Sequence, residues 1–321
     1  MDSRVDSPWI VPFDGSFEVK QARTAPPKDA PKQGELLERR EELTQKLARL
    51  QGRLYAGDRH ALLVVVQAMD AAGKDGTIKA VLSGVNPTGC QVTSFKRPTD
   101  EELSHDFLWR CNRHLPERGM IGIFNRSYYE EVLVVRVHPD YLQRQQVSIP
   151  KDPAQLWEDR LQAIAAYEQY LARQGTVIVK LWLHVSKEEQ RKRLLDRIED
   201  PDRNWKFNAE DVAERRHWSV YMRAYEAALR ATSKPWAPWY CIPADDKDYM
   251  RLQVADILVR TLQKVDPKYP VLGDAQRAAL MGIREQLLAE EEEPGRVTAR
   301  TVPRAAGGSA PAGRRRGPDR R

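Results

Sequence analysis

Hydrophobic and polar positions change period several times along this chain, and each change marks an element. Between Gly34 and Arg53 the apolar residues Leu36, Leu37, Leu43, Leu47 and Leu50 recur at helical spacing among charges, which predicts an amphipathic helix. Ala61 to Gln67 is instead apolar almost throughout, the pattern of a strand buried on both faces, and Lys74 to Val85 returns to helix. Gln91 to Phe95 predicts a second strand, and Thr99-Asp100-Glu101-Glu102 has the form of a capping box opening a helix that reaches His114. Met120 to Phe124, apolar around Gly122, predicts a third and central strand. A helix over Trp157 to Ala172, a strand over Thr176 to Leu183 and helices over Lys187 to Ile198 and Ala209 to Leu229 follow. Trp239 to Ile242 and Tyr249 to Val265 complete the series as a fifth strand and a last core helix. Strands alternating with helices of this length predict an α/β fold with a parallel five-stranded sheet and crossover helices.

The flanks differ from this middle. Residues 1–33, with Pro26, Pro27, Lys28, Pro31 and Lys32, show little periodicity and read as an arm laid over the surface or left loose. The core domain is expected over 34–267, and 268–321 as an extension. Within that extension Asp274 to Glu290 predicts one exposed helix, while the Gly/Ala/Pro/Arg composition beyond Pro294 cannot build a core and is expected to be disordered.

Charge matters once it is located. The net charge is +6, but residues 296–321 hold eight arginines against the single acid Asp319, so the other 295 residues carry −1. A general affinity for polyanions therefore has to rest on local clusters. Three widely spaced cysteines, Cys90, Cys111 and Cys241, suit a reduced protein better than a disulfide scaffold or a zinc site. The first residues lack the apolar core of a signal peptide, and no stretch approaches the roughly 20 apolar residues of a membrane span. A cytoplasmic protein with no membrane partner is expected.

The strongest local signal is the end of the first strand, Val66-Gln67-Ala68-Met69-Asp70-Ala71-Ala72-Gly73-Lys74-Asp75-Gly76-Thr77. A buried strand that breaks into a Gly-Lys turn and opens a helix is the layout of a phosphate-binding loop. Backbone N–H groups over Ala71, Ala72, Gly73, Asp75, Gly76 and Thr77 curl around an anion, and Lys74 reaches its outer oxygens. The loop departs from the common G-x-x-x-x-G-K-[ST] form twice: Ala68 replaces the first glycine, and Asp75 replaces the hydroxyl that usually binds magnesium. Carboxylates at Asp70 and Asp75 make sense there mainly when a divalent cation offsets their repulsion from phosphate. The plainer alternative is a strand-to-helix turn in which Lys74 is solvated and Asp70 caps the helix.

A second constellation is Ile123-Phe124-Asn125-Arg126-Ser127-Tyr128-Tyr129-Glu130, which delivers Asn125 and Arg126 to the carboxyl edge of the sheet, where open α/β sheets bind ligands. Arg126 there can clamp a phosphoryl group; otherwise Asn125 caps a helix and Arg126 pairs with Glu130. Third, the basic run from Lys187 to Arg216 includes Arg193, Arg197, Arg203 and Lys206. Such a run is often a solvated helix face, but after the fourth strand it predicts a helical lid over about 186–216, with Arg193 and Arg197 presented to one anion. Lys96, Arg97, Arg110, Arg113 and His114 form a weaker set that either binds an acceptor nucleotide or solvates the surface. Trp109, Trp157, Trp182 and Trp218 are expected in the core.

These segments, together with Gly84-Val85-Asn86-Pro87, Val92-Thr93-Ser94-Phe95-Lys96 and Trp236-Ala237-Pro238-Trp239-Tyr240, resemble the polyphosphate kinase 2 family over residues 10–267. The resemblance implies a three-layer α/β/α P-loop kinase fold with a lid. It implies Mg²⁺-dependent, reversible phosphoryl transfer between inorganic polyphosphate and nucleotides, with Mn²⁺ able to stand in for Mg²⁺. It assigns phosphate binding to Lys74 and the loop, metal binding or orientation to Asp70, a phosphate clamp to Arg126 and cover of the transfer site to Arg193. Asn125, followed by Ser-Tyr-Tyr-Glu-Glu-Val-Leu-Val-Val-Arg-Val-His, is similar to the class III branch, which accepts AMP as well as ADP; GMP and GDP stay open as acceptors. Family members often form dimers or tetramers, so a homo-oligomer is expected. The same loop, sheet and lid would also serve an NTP-dependent nucleoside monophosphate kinase. A non-enzymatic polyanion-binding module would rely on the arginine tail, and no specific nucleic-acid partner is expected.

Overall fold

The computed structural model describes residues 2–145, 147–148, 150–202 and 204–292, with the side chain of Lys206 and those of 291 and 292 outside that description. The chain divides into two units, Met1–Pro270 and Val271–Arg321.

In the first unit, five parallel strands form one sheet in the order β2-β3-β1-β4-β5. They are β1 (Ala61–Ala68), β2 (Cys90–Ser94), β3 (Ile121–Asn125), β4 (Thr176–His184) and β5 (Trp239–Pro243). β1 is the central strand and is buried at every position. That is why its sequence is a run rather than an alternation. β3 lies inside the sheet, where Gly122 leaves room for Pro116, whose Cγ would stand 2.8 Å from an added Cβ.

The helices are α1 (Gln33–Gly57), α2 (Lys74–Val81), the one-turn pieces α3 (Asp100–Leu103), α4 (Trp109–Asn112), α5 (Val134–Val137) and α6 (Leu142–Gln145), then α7 (Pro153–Arg173). After β4 come α8 (Lys187–Glu199), α9 (Ala209–Glu214), α10 (Trp218–Thr232) and α11 (Lys247–Val265). α1 and α2 pack with α11, and α7 with α10, giving helix–sheet–helix layers.

Three helix expectations need correction. α2 stops at Val81 rather than Val85, ahead of Gly84 at φ +83° and the Asn86-Pro87 turn. The capping box of Thr99 and Glu102 is present, yet the helix it opens lasts one turn. Asp106 interrupts it, its carboxylate accepting from the Leu108 N–H and its carbonyl from the Trp109 N–H. The helix expected over Ala209 to Leu229 is split by a 3₁₀ turn at Arg215–His217.

The N-terminal arm is laid down, not loose. Ile10 bridges antiparallel to Tyr240, the Val11 N–H donates to the Trp239 carbonyl and the Cys241 N–H to the Trp9 carbonyl, so the arm closes the β5 edge. Trp157 and Trp182 are buried as expected, whereas Trp109 and Trp218 are only partly so. Among the described residues no helix is long and apolar enough to cross a membrane. In the second unit α12 (Asp274–Glu292) has Leu280, Met281, Ile283, Leu287 and Leu288 exposed. The arginine-rich tail lies outside the described residues.

Candidate active site

The site forms where β1 and β3, hydrogen-bonded neighbours, release the chain at their carboxyl ends. The turn after β1 needs left-handed backbone at Ala71 (φ +59°) and Gly73 (φ +108°). Glycine adopts this freely at 73, where the Met250 methyl would press within 3.3 Å of a Cβ; alanine at 71 carries about 1 kcal/mol of strain or more. Ala68 is still in β1, paired with Leu183, and keeps ordinary strand backbone, so no glycine is required there. Gly73 also occupies the N-cap of α2, which rules out the alternative in which Asp70 caps that helix.

Lys74 is not solvated. Its Nζ donates to the carbonyls of Ala68 (2.9 Å) and Met69 (3.3 Å), closing the loop from inside. Burial, and then the charge of Arg126, lowers its pKa, against the pull of Asp70, Glu130 and Asp75. An ammonium so placed gains from any anion entering the loop. In the first turn of α2, Thr77 donates to the Gly73 carbonyl at 2.9 Å, and Asp75 accepts from Asn125 Nδ2 at 2.6 Å. Asn125 thus ties the end of β3 to α2 and is no helix cap; Ser127 caps the 3₁₀ turn Tyr128–Val132.

Arg126 stands next, in left-handed backbone at φ +64°. Its guanidinium joins Asp70 (2.7 Å) to Glu130 (3.1 Å), and Gln67 Nε2 donates to the other Glu130 oxygen at 3.1 Å. The pair with Glu130 foreseen as a local alternative therefore exists, but so does the second arm to Asp70 on the phosphate loop. The Arg126 side chain is 37% exposed, so a ligand can reach it.

Arg126, Asp70 and Glu130 border a cavity of about 450 Å³, a size that suits a nucleotide-sized ligand. Lys96, Arg97, Arg110 and Arg144 supply positive charge around it, and Leu103, Leu133, Val134, Tyr141 and Tyr225 an apolar wall. Asp211 and Glu214 of α9 face it from the hairpin side. Burial, and then the charge of Asp70, raises the Asp211 pKa.

The lid arginines are placed differently from the expectation. Arg193 is buried and every arm is committed: Nε to Glu189, one amine to the Ala72 and Ala71 carbonyls (2.7 and 3.4 Å), the other to Ala244 and Asp245 carbonyls (2.6 and 3.0 Å). It is a strut beneath the phosphate loop and cannot present itself beside Arg197 to one anion. Arg197 reaches Asp211 at 3.2 Å instead. Arg203 and the Lys206 side chain lie outside the described residues.

A model of the family named Polyphosphate kinase 2 matches residues 31–270. The chain belongs to this family. A relative from Rhodopseudomonas palustris, ADP-polyphosphate phosphotransferase, is 54% identical over 245 residues, covering 76% of this chain and 85% of its own. The AMP/ADP-polyphosphate phosphotransferase of Meiothermus ruber is 46% identical over 265 residues, 82% of this chain and 94% of its own. Among solved structures, the Polyphosphate Kinase 2 crystal structure from Arthrobacter aurescens superposes with a TM-score of 0.75 at 38% identity, covering 83% of this chain and 93% of the other. The family's P-loop kinase fold is the one described above.

Sequence reasoning missed Gln67, Asp211 and Gln190, foresaw Glu130 only as a local partner of Arg126, and counted Arg215 only within the basic run. Glu130 was readable, four residues after Arg126. The others reach the site across strands or from the hairpin, and no local pattern announces them.

Proposed function

We propose that this protein transfers the terminal phosphoryl group of inorganic polyphosphate to ADP, giving ATP, and to AMP, giving ADP, in reversible reactions. One observation carries the reading: Arg126, partly exposed and held between Asp70 and Glu130, stands beside the Lys74 loop on a nucleotide-sized cavity bordered by Lys96 and Arg97. The names of the two relatives support the donor and both acceptors.

An acceptor phosphate oxygen attacks the terminal phosphorus in line, the bond to the bridging oxygen breaks, and the shortened chain leaves with that oxygen. The acceptor is already ionised at neutral pH, so no general base is needed. Catalysis then comes from position and charge. Loop N–H groups and the start of α2 hold the phosphates, and Lys74 exchanges its two carbonyls for phosphate oxygen. Carboxylates keep Arg126 at the rim, where its guanidinium donates to the transferring group.

The oxygen donors fit Mg²⁺. Asp70 and its neighbouring carboxylates are hard ligands, and among the described residues no cluster of three or more His, Cys, Asp or Glu makes a complete cage. Magnesium held through one or two carboxylates and the substrate's own phosphates needs no such cage. Asp70 would hold it, and bound Mg²⁺, or Mn²⁺ in its stead, would neutralise charge on the phosphate oxygens. GMP and GDP as further acceptors, and assembly as a homo-dimer or tetramer, belong to the same proposal.

The test is an assay of AMP, ADP, GMP and GDP with polyphosphate and Mg²⁺, with no nucleoside triphosphate added. ATP formed from ADP, and its loss on chelation, is the expected result. Transfer to AMP from ATP alone would instead make this an ordinary nucleoside monophosphate kinase. Light scattering of the purified chain reads the oligomer.

A further inference from the structure

Helix α8 carries a glutamine that packing alone does not explain. Gln190 is fully buried, and both ends of its amide are engaged. Nε2 donates to the Asp70 carbonyl at 2.8 Å, and Oε1 accepts from Arg215 at 2.6 Å. The same Arg215 amine donates to the Lys187 carbonyl at 2.9 Å, and Arg215 opens the turn between α9 and α10. On the other side, the Asp70 carboxylate holds Arg126 at 2.7 Å. One amide therefore stands between the hairpin and the residue that aims the phosphate clamp.

The position asks for a donor facing a carbonyl and an acceptor facing a guanidinium. Glutamine supplies both from one planar group. Glutamate would set an anionic oxygen against the Asp70 carbonyl, and leucine would fill the space while leaving that carbonyl without its donor and Arg215 with the Lys187 carbonyl alone. Because the amide is rigid and dry, a shift of Arg215 turns its plane and moves the hydrogen bond to Asp70 with it.

Resting on the phosphoryl-transfer reading above, we infer that Gln190 is a positioning residue that couples the α8–α9 hairpin to the phosphate loop. Arg215 sets the Gln190 amide, Gln190 sets the Asp70 backbone, and Asp70 sets Arg126. Arg193, one turn further along α8, fixes the Ala71 and Ala72 carbonyls, so the helix grips three successive residues of the loop.

Gln190→Leu, Arg215→Met and the double variant, made in the full chain, test this. With polyphosphate and ADP, kcat is expected to fall about 10- to 100-fold in each single variant, with KM for ADP within about threefold of the parent. The double variant is expected to be no slower than the worse single one, since both cut one relay. Arg215→Lys, which keeps a donor, recovers most of kcat. Hydrogen exchange at amides 69–76 rises in Gln190→Leu and Arg215→Met. Losses that multiply in the double variant, or unchanged loop exchange in Arg215→Met, would overturn the relay. Arg215 is only half-buried, so its variants decide the matter even where Gln190→Leu fails to fold. A parent protein that ignores polyphosphate would refute the proposed function, while the exchange measurement needs no substrate and still judges the relay.

Discussion

Two charged clusters sit on the same sheet and use similar groups, yet they are built for opposite ends. In the core, Lys180 of β4 donates to Glu168 (2.5 Å), the Tyr129 hydroxyl (3.0 Å) and the Thr232 carbonyl (2.7 Å), and Glu168 also accepts from Tyr128 and Tyr129. Burial lowers the Lys180 pKa to about 8 and raises that of Glu168, and the charge of each pulls the other back towards its ionised form. All three ammonium donors are used, in the dark of the core. At the rim, Arg126 lies between Asp70 and Glu130 with a third of its side chain in solvent. The saturated cluster can only hold; the open one leaves a reachable guanidinium, which on the proposed mechanism trades a carboxylate for a phosphate. The same contrast separates Arg193 from Arg126.

The largest effect is expected at the loop: Lys74→Ala should lower kcat about 10³-fold or more, through loss of a preorganised charge at the transferring group. Single-turnover rates measure it, and near-parental turnover would remove Lys74 from the mechanism. Lys180→Met should instead cost about 3–4 kcal/mol of stability, by stranding the Glu168 charge. Denaturant unfolding should show much of that loss returned in Lys180→Met/Glu168→Leu; no recovery would mean the pair is not the burden described.

Arg126→Lys keeps the charge but not the fork between two carboxylates, and should slow transfer about 10²-fold with little change in melting temperature. If it melts early with kcat intact, the rim network is a structural clamp after all. The smallest effect is an acid sensitivity from a third buried group. His184 is packed on Trp182, and burial pushes its pKa from 6.5 down to about 4, against the charge of Asp245. Between those values the unfolded imidazole binds a proton that the folded one refuses, so stability falls as pH drops through the window. The loss should reach about 2 kcal/mol by pH 5 and shrink in His184→Phe, read by unfolding at pH 7 and pH 5.

Much of the site was legible because it is contiguous. The buried run of β1, the Gly-Lys turn, and Asn125-Arg126 at the end of β3 each announce themselves within a dozen residues. The short helices near Asp106 were not legible, because a side chain there competes for the same N–H groups that a helix would use. Nor could the basic count in α8 separate Arg191, exposed and paired with Glu188, from Arg193, buried under the loop. Helical spacing gives a face, but not what the face meets.

The α/β alternation, the phosphate loop and the family follow from the amino-acid order, since they rest on hydrophobic period and on motifs read along the chain. Packing settles which charges are committed and which remain available. It turned Lys74 inward onto its own loop, committed Arg193 to four backbone carbonyls, hung Arg126 between two carboxylates and placed Gln190 between Arg215 and Asp70. The physical reason is that a charged group's role is set by its partners and its access to water, and both come from segments far apart in sequence.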